Sequence, residues 1–177
     1  MKENEAKQLI DLLNYFKEVH LFKGLSESQI KKIIKKMIRQ KIAAGDFIIH
    51  EGDKESSLYI LIKGEVEISK SLVLPQWIQS GQKQEKSLLR LSEKHRPFFG
   101  EMAMFSDQPE RSASITAVTP CTIAVLSLES LEAVINDDPV TGMIVYKNIA
   151  SVLAARLIKA NKDILKLTTA FTLALEG

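Results

Sequence analysis

Between Phe99 and Ala117 the chain reads FGEMAMFSDQPERSASITA, and the residue types in that run suit one piece of chemistry. Gly100 lets the backbone come close to a ligand, because it carries no Cβ. The turn after it opens a short apolar, helix-like stretch. At such a start the amides of Met102 and Ala103 have no backbone partner, which favours an anion. Arg111 brings a planar fork of donors matched to phosphate oxygens. Ser112 adds a hydroxyl and another amide. Glu101 can accept hydrogen bonds from a sugar hydroxyl without meeting a phosphate head-on. Taken together, these groups suit a ribose fused to a phosphate monoanion.

Such a run needs a scaffold, and the rest of the chain supplies one. From residue 42 to 128 short β-rich segments alternate with Gly, Asp, Ser and Pro, the pattern of a small antiparallel roll. Gly45, Gly52 and Gly64 fall at turns between strands. Upstream, Leu9, Ile10, Leu12, Leu13 and Phe16 recur at helical spacing. Ser26 starts a second helix running to Met37, with Gln29 placed to complete a capping box. That helix carries Lys31, Lys32, Lys35 and Lys36 and leads on to Arg39 and Lys41. They form a solvated face opposite Ile30, Ile33, Ile34 and Met37, or a docking face for an acidic partner. From Pro139 onward a long helix places Met143, Tyr146, Ala150, Leu153, Leu157, Ala160, Ile164, Leu167, Phe171 and Ala174 at an unbroken 3-4 spacing, the seam of a coiled coil. The expected fold is therefore α+β. An N-terminal helical segment (1–40) precedes an antiparallel β-roll of the jelly-roll type (41–136), and a C-terminal dimerisation helix (137–177) follows.

The run around Gly100 resembles the phosphate-binding cassette of the cyclic nucleotide-binding domain family. Its form is nearest to bacterial regulators of the catabolite activator type. Gly100, Glu101, Arg111, Ser112 and Ala113 stand where that pattern wants them, with Arg111 eleven positions after Gly100. The entry segment Phe22-Lys23-Gly24-Leu25-Ser26, the turn Glu51-Gly52-Asp53 and the stretch from Leu58 to Val66 are similar to the family's as well. The resemblance implies a cyclic nucleotide ligand, held by Gly100, Glu101, Met102, Ala103, Arg111, Ser112 and Ala113. It also implies a parallel homodimer, with the base lying against the C-terminal helix. Matching the stretch Ala154-Ala155-Arg156-Leu157 to the family places Ala160 and Asn161 nearest the base, and the Asn161 amide can both donate to and accept from an adenine edge. Ser112 in place of a threonine leans toward cyclic AMP over cyclic GMP. Two departures stand out. The stretch from Gly64 to Gly100 is longer than usual, which suggests an extended hairpin around Trp77, and Arg96-Pro97 replaces a Gly-Asp before the cassette.

Composition narrows the function class. The formal net charge of +2 argues against bulk nucleic-acid or membrane binding. The three histidines, His20, His50 and His95, have no ligand-spaced partners, so neither a metal nor an enzyme is expected. A single cysteine, Cys121, reads as a buried thiol at a strand start and fits a reducing cytoplasm. The charged N-terminus lacks the apolar block of a signal peptide, and no membrane span is expected. The helix-turn-helix that follows the sensor in catabolite activators has no counterpart, so no DNA binding is expected of this chain alone. The leading expectation is a non-enzymatic cyclic nucleotide sensor in the cytoplasm, a homodimer needing no cofactor. A nucleotide-blind dimeric module that docks a protein partner stays open, as does the truncated sensor half of a transcription regulator.

Overall fold

The computed structural model describes residues 2–72, 85–107 and 110–176. Helix α1 spans Lys2–Lys17, and a 3-10 turn at His20–Phe22 leads to α2, Glu27–Ile34. Ser26 caps α2 as the sequence predicts: its hydroxyl accepts from the Gln29 amide while the Gln29 side chain accepts from the Ser26 amide. The helix ends three residues before Met37, because Ile38 already begins a strand paired with Val125. Strand pairing overrides an apolar period that would have continued the helix.

Among the described residues eight strands follow: β1 (Ile38–Ile42), β2 (Phe47–Ile49), β3 (Ser57–Lys63), β4 (Glu65–Ser71), β5 (Glu85–Ser92), β6 (Phe98–Phe99), β7 (Ser114–Ala117) and β8 (Cys121–Ser127). They form two antiparallel sheets of four, ordered β1-β8-β3-β6 and β2-β7-β4-β5. The α+β roll expected from the sequence is the fold observed. Its arms β4 and β5 pair from Glu65–Ser92 to Ser71–Glu85. The expected hairpin tip around Trp77 lies outside the described residues. The last strand stops at Ser127, whose hydroxyl caps α4 (Leu128–Asp137) by accepting from the Ser130 amide.

Period-two alternation in β3 builds two cores at once. Leu58 and Ile60 face a helical layer containing Phe16, Phe22, Ile30, Ile33, Leu131 and Ile149. Tyr59 and Leu61 face the roll interior with Val66, Phe99, Ile115 and Ile123. The β3–β4 turn requires Gly64: its φ is +100°, and a Cβ there would sit 2.7 Å from Cys121 Sγ. Cys121 is buried at the start of β8, as read from the sequence. Arg96 supplies the left-handed turn that a glycine makes in the resembled pattern (φ +47°). It is held there by Glu18, at 2.5 Å from Nη2, and by the Tyr15 ring beneath its guanidinium.

Helix α5 runs unbroken from Pro139 to Glu176, about 57 Å at 1.5 Å per residue. Val145 and Ile149 bury its first third against the helical core, and Asn148 donates to the carbonyls of Leu21 and Lys23 at 2.9 and 2.8 Å. Each buried aliphatic contributes about 1.5–3 kcal/mol. Beyond Arg156 the helix leaves the body, and Leu157, Ile164, Leu167 and Phe171 are 60–71% exposed. By length and composition alone α5 could cross a bilayer. Its root is packed on the body, and further along Lys159, Lys162, Asp163 and Lys166 interrupt exposed apolar residues that include Ile158 and Leu165 beside the seam.

Candidate functional site

The pairing of β6 with β3 (Tyr59 to Phe99, Ile60 to Phe98) brings the cassette to the mouth of the roll. The chain then turns at Gly100 into α3 (Glu101–Met104), a single helical turn that no side chain caps. No other residue fits at position 100. Its φ is +86°, and a Cβ would lie 2.8 Å from both Arg111 Nη1 and the Ser57 carbonyl.

That crowding arises because Arg111 folds inward under Gly100. Nη1 donates to the Gly100 carbonyl at 2.9 Å, and Nη2 donates to the Ser57 carbonyl at 3.0 Å. The guanidinium lies over the Tyr59 ring, 5.3 Å from its centre, and Tyr59 stacks on Phe99 at 5.7 Å. Glu55 approaches Nη2 at 3.5 Å, leaving the Arg111 side chain only 2% exposed. The Arg111 Nε is buried and has no hydrogen-bond partner among the described residues.

Glu101 is the complementary half. Its carboxylate is buried at 1% exposure, and Oε1 accepts from Arg156 Nη1 at 2.5 Å. Arg156 reaches in from α5, donates Nη2 to the Phe98 carbonyl at 2.8 Å and lies over the Phe98 ring. Glu101 Oε2 is buried without a partner among the described residues. A buried donor and a buried acceptor thus stand unsatisfied on two residues that line one cleft. Leaving each unpaired costs about 1–3 kcal/mol.

The cleft has a volume of about 570 Å³, and Gly100, Glu101, Met102, Ala103, Arg111, Ser112 and Ala113 all line it. Seven of the eight residues expected to touch a ligand are therefore brought together. Asn161 is the exception: it does not line the cleft, whereas its neighbour Ala160 does. Both residues are exposed on the same stretch of α5. Sequence reasoning gave no role to Arg156, which lies fifty-five positions from Glu101. Nor did it single out Ile49, Ile68, Leu88 and Ile115, the apolar floor, or Lys70 beside them. Alternating strand patterns hinted at that floor, but no spacing pointed to Arg156. Among the described residues no cluster of acidic, histidine or cysteine side chains could hold a metal ion.

This roll and cassette define a domain with a small-ligand cleft, and comparison with known proteins places it. The profile of the cyclic nucleotide-binding domain family matches residues 39–138, and the chain belongs to that family. It is 34% identical over 131 residues to a cAMP-dependent protein kinase regulatory subunit of Hypocrea atroviridis, covering 74% of this chain and 24% of that protein. It is 36% identical over 107 residues to human cGMP-dependent protein kinase 2, covering 59% of this chain and 12% of the kinase. Among solved structures, the catabolite activator protein of Thermus thermophilus superposes with a TM-score of 0.69 at 30% identity, covering 84% of this chain and 63% of that one. The chain spans about a quarter or less of the two kinase proteins.

Proposed function

We propose that the chain is a non-enzymatic sensor that binds a purine 3′,5′-cyclic mononucleotide in the Gly100–Arg111 cleft and signals through α5 of a homodimer. One observation carries this reading: Glu101 Oε2 and Arg111 Nε, both buried and unpartnered, belong to residues lining one cleft. A ribose 2′-hydroxyl donates to the first and a phosphate oxygen accepts from the second, so a single ligand relieves both penalties. Cyclic AMP is the ligand toward which Ser112 leans, with cyclic GMP the alternative.

The dimer rests on α5. Its seam residues Met143, Leu157, Ile164, Leu167 and Phe171 are exposed along one stripe, and a matching helix would bury them. A groove of about 440 Å³ between Phe105 and the seam residues Tyr146, Ala150 and Leu153 continues that stripe up to the cassette. In a parallel, in-register pair the second copy's helix passes at the height of Ala160. Asn161, next to the cleft-lining Ala160, keeps in this reading the base-reading role expected of its amide.

Calorimetric titration with cyclic AMP and cyclic GMP tests the reading. Saturable binding by at least one nucleotide is expected, with Arg111→Ala weakening it by about 2–4 kcal/mol. A wild-type protein that takes up neither would favour the nucleotide-blind module.

A further inference from the structure

Glu55 is not in the cassette and does not line the cleft, yet it closes the cage around the phosphate-binding arginine. Its Oε2 lies 3.5 Å from Arg111 Nη2 and also accepts from the Tyr59 hydroxyl at 2.8 Å. Tyr59 thereby does two things: its ring lies beneath the guanidinium, and its hydroxyl tethers the carboxylate that faces it. Burial and the Glu55 charge both raise the Tyr59 pKa, so the tether stays protonated and donating. The Glu55 side chain itself is 50% exposed. Both Nη groups of Arg111 already donate to backbone carbonyls, so its placement does not depend on Glu55. What Glu55 supplies is charge: without it, a buried cation faces only dipoles and an aromatic ring.

We propose that Glu55 is a built-in rival of the ligand phosphate for Arg111, compensating the arginine in the empty site and lowering the affinity of the loaded one. This rests on the cyclic nucleotide reading above. A phosphate oxygen arriving at Nε brings a second anion to a guanidinium that already faces one. The two anions repel across a few ångströms of partly screened space. Because Glu55 is half exposed, it can turn to solvent when the phosphate enters, giving up its tether to Tyr59. The site is therefore tuned for release as well as capture.

The test is calorimetry of wild type, Glu55→Gln and Tyr59→Phe with cyclic AMP and cyclic GMP, beside thermal melts with and without nucleotide. Glu55→Gln should bind the ligand roughly three- to tenfold more tightly, the size of one screened like-charge repulsion. Its ligand-free melting temperature should fall while the ligand-induced rise grows. Tyr59→Phe keeps the ring but frees the carboxylate, and should also tighten binding. It carries the same test should Glu55→Gln fail to fold. Unchanged or weaker binding by Glu55→Gln, with wild type binding normally, would overturn the rivalry and leave Glu55 as no competitor of the phosphate. No binding by wild type would instead remove the nucleotide reading on which the proposal stands.

Discussion

Arg156 of α5 donates to Glu101 at 2.5 Å, joining the C-terminal helix to the cassette through a carboxylate that is 1% exposed. The bond crosses from the element expected to carry output to the residue expected to meet the ribose. It gives Glu101 a counter-charge, without which a buried carboxylate would be strongly unfavourable. In the proposed sensor, a ligand contact at the second oxygen of Glu101 would reach α5 through this one side chain.

Arg156→Met should remove that link while keeping much of the packing over Phe98. Stability should fall by roughly 1–3 kcal/mol, since the buried Glu101 carboxylate is left without its half-exposed counter-charge. Nucleotide affinity should fall too, because Glu101 is then free to reorient. Urea denaturation and calorimetry measure the two separately. Unchanged values in both would show that the ion pair is incidental.

The role of Glu101 toward ribose is tested by ligand surgery. A 2′-deoxy cyclic nucleotide should bind about 1–3 kcal/mol more weakly than its parent, because Oε2 stays unpaired. In Glu101→Gln the gap between the two ligands should shrink. Equal affinities for wild type would assign Glu101 to holding Arg156 alone.

The seam predicts a dimer in solution. Leu157→Asp with Ile164→Asp places like charges along the stripe and should give monomers by light scattering, with weaker nucleotide binding as the coupled effect. Wild-type monomers at tens of micromolar, with and without nucleotide, would remove the dimer from the proposed mechanism.

Stability of the empty protein should depend on pH through Glu55. Partial burial pushes its carboxyl upward, but hydrogen bonds from Tyr59 and Ser57 and the Arg111 charge outweigh that, so its pKa lies below the ordinary 4.5. A depressed folded-state value means the unfolded chain binds the proton more readily. The Glu55 contribution is thus present above pH 4.5 and is lost as pH falls through the lower folded value. Melts of wild type and Glu55→Gln should converge in acid and separate toward neutrality; parallel curves would count against the assignment.

Much of this was legible because the cassette is local. Gly100 and Arg111 stand eleven residues apart, and their contact follows from one turn whose glycine is forced by sterics. The Ser26 cap and the Pro139 start of α5 are likewise short-range signals. Long-range pairings left no such trace. Arg156 reaches Glu101 only because α5 packs across the mouth, and Glu55 meets Arg111 only because the Lys54–Glu110 bridge brings two loops together. The end of α2 was misplaced because strand pairing with β8 decides it. Which of the adjacent Ala160 and Asn161 lines the cleft depends on helix phase, which, unlike helix presence, is fixed by tertiary contact.

Asn148 clamps the root of α5 to two carbonyls, and Arg156 engages the cassette eight residues further on. At 1.5 Å per residue the hook lies about 12 Å beyond the clamp, and the end at Glu176 about 42 Å beyond it. The helix is thus a lever with its fulcrum at Asn148 and its drive point close by. A tilt that moves Arg156 by a few tenths of an ångström carries the far tip more than three times as far. In the proposed sensor, an ångström-scale event at a bound ribose would in this way be geared to the dimensions of a helix interface.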